Sequence, residues 1–441
     1  MKYLQQIRSA HNDPRALEEL HQSARRENQL AEFASDLLAC YQETPDNVLY
    51  AAWYYRLQPV PQSAVARARG INWKLAISFS LVAGVAIWWL TDSRFMEVAY
   101  RMPQVMYAWA PIEASLAIAY LTLTTGKDRV RALFVTIGLA AVYAYVHWFT
   151  RRPIDSHNSM AEQYAILMAL HVPLAAWIAV GLSLVGFKRE DAQRFAFLSK
   201  SIEVFITGGI FAMGIGVFAA ITLGLFAALN VRVSDAIMRL LIAGGCGAIP
   251  VLAVAAVYDP GLRPAEQKFE QGLGKLISML MRLLLPLTVL VLAIYLAFIP
   301  FNFMAPFRSR ELLIVYNAML FAIMGLLIGA IPVRVDDMPA GQQKALRLGI
   351  LVLAALTVVV SAYALSAIVY RTVQGMLTPN RVTVIGWNAI NIVLLILLVH
   401  KQFKHGASRW IESLHAAFSI ACVAYTAWAM VVIVALPLLF P

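Results

Sequence analysis

Glu113 and His171 stand inside long apolar runs, each with a proline two positions away, Pro111 and Pro173. An ionisable side chain in hydrocarbon is costly, so it takes a partner or water and marks a functional site by default. An imidazole changes charge near physiological pH, and a carboxylate beside it can share or relay the proton. At 1.5 Å per residue from the start of each run, Glu113 lies roughly 12 Å and His171 roughly 10 Å from the same face. Matched depth allows a direct contact, and the prolines free backbone carbonyls that can join it. The pattern predicts a structural polar contact or a substrate or proton site.

Three more residues have the right chemistry at a span edge. Glu203 and Arg282 enter two other apolar runs at shallow, similar depths, which suits an ion pair or snorkelling to the interface. Arg381 begins an apolar run just after Thr378-Pro379, where it can bind a phosphate or carboxylate or anchor the interface. Of the other histidines, His147, His157, His400, His405 and His415 fall near run ends or in loops. His171 has no partner at matched depth for a bis-histidine haem. Cys40, Cys246 and Cys422 have no CxxC or Cys/His spacing, which argues against zinc and a disulfide framework. No P-loop, GxSxG, HExxH or paired-carboxylate motif occurs. The sequence therefore predicts no cofactor and no metal, and leans away from catalysis.

The elements that must hold these residues are membrane helices. Of 441 residues, 60% are hydrophobic and only 14% charged, against roughly a quarter charged in soluble domains. A spanning helix needs about 20 apolar residues, because hydrocarbon tolerates only a closed hydrogen-bond ladder. Eleven such runs follow one another: 71–90, 105–124, 132–148, 164–185, 202–229, 236–258, 276–299, 312–331, 346–370, 382–399 and 414–439. The fold class is an all-α polytopic bundle. The net charge of +11 fits basic loops against anionic lipid headgroups better than nucleic acid, since no arginine-rich arm with interleaved aromatics is present.

Residues 1–57 read as a small soluble helical domain. Asp13-Pro14 and Thr44-Pro45 are helix starts, and Leu30, Phe33, Leu37, Leu38 and Tyr41 recur at helical spacing. A linker over 58–70 leads to the membrane part, 71–441, and the polar start has no signal-peptide pattern. Lys and Arg crowd alternate loops, from Lys127, Arg129 and Arg131 to Lys401, Lys404 and Arg409. By the positive-inside rule this places the N-terminus in the cytoplasm and the C-terminus outside. In the fifth run Gly208, Ala212, Gly216, Ala220, Gly224 and Ala228 put a small residue at every fourth position. Small-xxx-small spacing predicts close packing, here against Gly244, Gly245, Gly247 and Ala248 of the sixth.

The segment Gln374-Gly375-Met376-Leu377-Thr378-Pro379-Asn380-Arg381 resembles the Gly-Leu-Thr-Pro-x-Arg turn of bacterial multi-span proteins grouped as domain of unknown function 4153. It has one more residue between Gly375 and Thr378, and Gln374 where the family has tyrosine. The resemblance covers the membrane part, best over the last three runs. It implies a bacterial inner-membrane protein and names no reaction. The expected function is transport or lipid handling through a polar site in the bundle. The alternatives are a scaffold or accessory subunit that docks a protein partner through 1–57, and a membrane-embedded transferase.

Overall fold

The computed structural model describes residues 3–26, 29–57, 71–96, 102–151, 159–269, 271–334, 338–406 and 408–440. The chain forms two compact units, Met1–Ala68 and Arg69–Pro441. The 58–70 linker and His157 lie outside the described residues.

In the first unit, α1 (Leu4–Ser9), α2 (Pro14–Arg26), α3 (Leu30–Glu43) and α4 (Val48–Leu57) enclose Ile7, Leu17, Phe33, Leu37 and Trp53. Asp13 starts α2 as its spacing predicts, its carboxylate accepting from the Arg15 and Ala16 amides at 2.9 and 3.2 Å. The second start is displaced. Thr44 closes α3, its hydroxyl donating to Cys40 O, and Asn47 caps α4 through the Leu49 and Tyr50 amides. Asn is the stronger cap, and Pro45 falls in the turn between the helices.

Among its described residues the second unit holds eleven helices long and apolar enough to span a membrane. They are Trp73–Leu90, Val105–Thr125, Arg129–Thr150, Met160–Val185, Asp191–Ala228, Asp235–Val257, Gly272–Asn302, Glu311–Ala330, Ala340–Gln374, Pro379–Lys404 and Trp410–Leu439. No strand occurs among the described residues. The fifth and ninth helices begin well before their apolar runs, because polar residues such as Gln193 and Gln343 extend a ladder that closes equally well in the interface.

The long-range contacts at the helix ends join ends of like parity. At the end with the basic loops, Arg131 Nε donates to Ser183 O at 2.9 Å, Arg263 pairs with Glu190, Arg334 bonds Ala265 O and Arg347 bonds Gln402. At the opposite end, Trp88 donates to Ala236 O and Arg239 pairs with Asp92 at 2.8 Å. The spans therefore cross in alternate directions. The eleventh helix contains a π-helical turn, Val431–Ala435, followed by Pro437, which has no N–H to give Ile433. Tyr164 and Tyr145 reach across to donate to the carbonyls of Ile433 and Val434, at 3.0 and 2.7 Å.

The small residues of the sixth span divide between two partners: Gly245 meets Ile215 of the expected fifth span, where an added Cβ would stand 2.8 Å away, while Gly244, Gly247 and Ala248 face the first span. A Cβ on Gly84 of the first span would stand 2.7 Å from Gly244 O, and one on Gly247 would meet Ile87 at 2.7 Å. The first and sixth spans are thus closely packed. Of the fifth-span glycines only Gly208 faces the sixth span, near Ile249, and a Cβ on Gly216 or Gly224 meets nothing within 4 Å. The sixth span enters through a π-helical turn at Leu240–Gly244, and Gly244 and Gly247 after it face the first span while Gly245 faces Ile215 of the fifth.

Candidate functional site

His171 is buried in the fourth span, and both ring nitrogens are engaged. Nδ1 lies 2.8 Å from Leu167 O, and Nε2 receives the indole N–H of Trp387 of the tenth span at 3.1 Å. Since the indole can only donate, Nε2 is the acceptor and Nδ1 carries the proton given to Leu167. Glu113 in the second span is 4% exposed, and neither carboxylate oxygen has a hydrogen-bond partner. The direct Glu113–His171 bond expected from matched depth is therefore not formed. The fourth helix begins at Ser159, which places His171 about 18 Å along it while Glu113 is about 12 Å along its own.

Glu203 and Arg282 do not pair with each other either. Lys200, 4% exposed on the fifth helix, bonds Glu203 at 2.6 Å one turn away and Lys268 O at 2.8 Å. Arg282 donates to Ala330 O at 3.2 Å. A lysine at i and an acid at i+3 share one helix face, so the local partner is found first. Lys200 reads as a loop charge in the sequence because it precedes the apolar run. Arg381 turns back on its own loop: Nη1 donates to Met376 O at 2.6 Å, and a Cβ on Gly375 would stand 2.7 Å from that nitrogen. Thr378 caps the tenth helix through the Arg381 amide at 3.4 Å. The turn is a structural clasp with Gly375 admitting the guanidinium.

A cavity of about 940 Å³ opens beside the Lys200–Glu203 pair. Trp177, Phe197, Ile202 and Phe205 line it from the fourth and fifth spans, and Met281, Leu284, Met319 and Leu326 from the seventh and eighth. Its few polar side chains are engaged. Ser201 donates to Phe197 O and accepts from Trp177 Nε1, and Thr288 donates to Leu284 O. Gly325 lies in the wall with nothing within 4 Å of an added Cβ. Phe205 is 83% exposed, so the cavity continues to the outer surface of the bundle at its side. Glu113 is not part of this lining.

A polar seam that the sequence reading missed runs down the tenth span. Asn388 donates to Asn317 of the eighth span at 2.6 Å, Tyr425 of the eleventh bonds Asn391, and Trp387 holds His171. Asn388 and Asn391 sit three apart in an otherwise apolar run, which is the signal that could have found them. Among the described residues no group of three His, Cys, Asp or Glu could hold a metal ion, and the three cysteines are free thiols. Compared with known proteins, the chain matches no family model, no curated protein and no solved structure.

Proposed function

We propose that this protein handles lipid, drawing an acyl chain sideways from the bilayer into the cleft beside the fifth span. The cavity of about 940 Å³ carries this reading. Its volume lies within the roughly 300–1,000 Å³ of ligand pockets, and its apolar walls suit hydrocarbon rather than a hydrated solute. Lys200 in its wall is paired with Glu203. The hydroxyls in the wall all serve the protein's own hydrogen bonds, which favours binding over group transfer.

The bacterial inner-membrane setting rests on the resemblance of the 374–381 turn to the domain-of-unknown-function family, and a cytoplasmic N-terminus on the basic loops. Reporter fusions after Lys200 and after Pro441 are then expected on opposite sides of the membrane; finding both on one side removes the orientation. A phospholipid with a photoreactive acyl chain tests the cavity. Crosslinks should fall on residues 197–206 and 319–328, and Gly325→Phe, which fills open space, should reduce them severalfold. Labelling confined to outer faces such as Phe301, and unchanged by Gly325→Phe, overturns the reading.

A second reading, protein docking through residues 1–57, is favoured by Tyr41, Tyr54 and Tyr55. Their rings lie 4.8 and 5.3 Å apart in sequence, and Tyr55 is 66% exposed. Aromatic side chains are enriched at interfaces. Tyr54→Ala with Tyr55→Ala in the full chain should release a co-purifying protein; an unchanged complement of bound proteins removes this role.

A further inference from the structure

Glu113 is an acid that the acyl-chain cavity does not use. Among the described residues its surroundings hold no positive charge to pair with. The second span packs against the first, third, fourth and sixth. The charged residues of those helices are Lys74 on the first, Arg129 and Arg131 on the third, Glu162 on the fourth, and Asp235 and Arg239 on the sixth. All stand in the first turn or so of their helix. Arg131 is held by Asp128 and Ser183 O, and Arg239 by Asp92. His171 faces Trp387. The remaining titratable groups are Tyr107 on the second span itself with Tyr143, Tyr145, His147 and Tyr164 toward the end opposite the basic loops, and Cys246, which is exposed.

Other buried polar atoms lie on the same seam. Tyr120 is seven residues, two turns, from Glu113 and so on nearly the same helix face. It clusters with Ala76 of the first span and with Val251 and Ala255 of the sixth. Ser80 is one turn on from Ala76. The Ser80 hydroxyl, like both Glu113 oxygens, is buried without a hydrogen-bond partner, and the Tyr120 hydroxyl is buried against the Asn72 backbone. Glu113, Ser80 and Tyr120 thus bring three buried polar side chains to the seam of the first, second and sixth spans. Burying a polar group unpaired is unfavourable, and burying an unpaired charge far more so.

We propose that Glu113 is a proton-binding site: a neutral carboxylic acid in the resting protein that exchanges its proton with water entering the seam between the first, second and sixth spans. In the exchange the carboxyl O–H breaks, the proton passes to water, and a proton from water returns to the same oxygen. Ser80 and Tyr120 border the water's path and give it hydrogen bonds. The carboxylate exists only while water is present, so proton exchange reports opening of these three spans.

Infrared spectroscopy of the full chain in lipid at pH 7 tests this. A protonated-carboxyl C=O band is expected that shifts when the protein carries ¹³C-carboxyl glutamate and disappears in Glu113→Gln. The isotope comparison needs no variant, so it stands even if Glu113→Gln does not fold. Transfer to D₂O should move the band as the proton exchanges, and more slowly in Ser80→Ala with Tyr120→Phe. Absence of any glutamate-sensitive acid band, or its survival in folded Glu113→Gln, overturns the site. A band that never moves in D₂O overturns the exchange.

Discussion

Trp387 and His171 are joined across the tenth and fourth spans by an indole N–H on Nε2, 3.1 Å long, with both side chains buried. The bond holds the imidazole in a single tautomer, with the other nitrogen on Leu167 O. It links a helix of the first half of the bundle to one of the second. Interhelical hydrogen bonds in lipid average about 0.6 kcal/mol and reach about 1.7.

Trp387→Phe should therefore destabilise the protein by about 1 kcal/mol, and a cycle with His171→Phe should return a coupling near that range. Reversible unfolding in mixed micelles gives both values. Strict additivity of the two replacements means that the bond adds no stability.

Gly84 is expected to be the most size-sensitive position of the first span. An added methyl would stand 2.7 Å from Gly244 O, a backbone atom that cannot swing aside. Overpacking of this kind typically costs about 1–3 kcal/mol. Gly84→Ala should lower thermal stability in detergent, whereas Gly216→Leu, with nothing within 4 Å, should leave it unchanged. The reverse order would mean that Gly216 is covered in the native membrane.

These two sites separate what sequence can carry from what it cannot. Apolar run length fixes a spanning helix, because lipid accepts little else, and all eleven runs were legible on that ground. The partner of each helix face is another matter. The glycines of the sixth span announce a close approach, but periodicity does not signal that Gly244 and Gly247 go to the first span, Gly245 to Ile215 of the fifth, and none to Gly216. Glu113 was legible as a costly residue; that His171 turns to Trp387 instead was not, since rotation about a helix axis is set by packing. The cavity is made by five or more helices and has no signature in any one of them.

Asp92 sits in the turn after the first span, where hydrogen bonds from the Arg94 side chain, the Arg94 amide and Arg239 hold its carboxyl down to about 2. A depressed folded value means that the stabilisation is complete above the ordinary carboxylate range, near 3.9, and is lost as pH falls through about 2. The difference in melting temperature between the wild type and Asp92→Asn should be constant from neutral pH to about 5 and should close progressively below about 4. A difference that persists unchanged at the lowest accessible pH would assign the effect of Asp92→Asn to geometry rather than charge.

Lys200 in the cavity wall forms a buried ion pair with Glu203, and removing one partner differs from removing both. Glu203→Gln leaves the ammonium buried without a counter-charge, facing only neutral acceptors such as the amide oxygen and Lys268 O, with the Phe269 ring centre at 5.2 Å. Breaking a buried pair in this way typically costs about 3–5 kcal/mol. Replacing both by Met removes two desolvated charges together, a change that is often neutral or stabilising by about 1–4 kcal/mol. Loss of the amine also leaves Lys268 O without that donor, so the double replacement should lie near neutral. Unfolding measurements should thus rank Glu203→Gln well below both the wild type and the double variant. Photoreactive lipid then separates two roles for the pair. If it only closes the wall, the folded double variant should take up label in the cavity as the wild type does. If it meets the headgroup of the bound lipid, labelling should fall in the double variant although its stability is intact, because the acyl chain is then held by apolar contact alone.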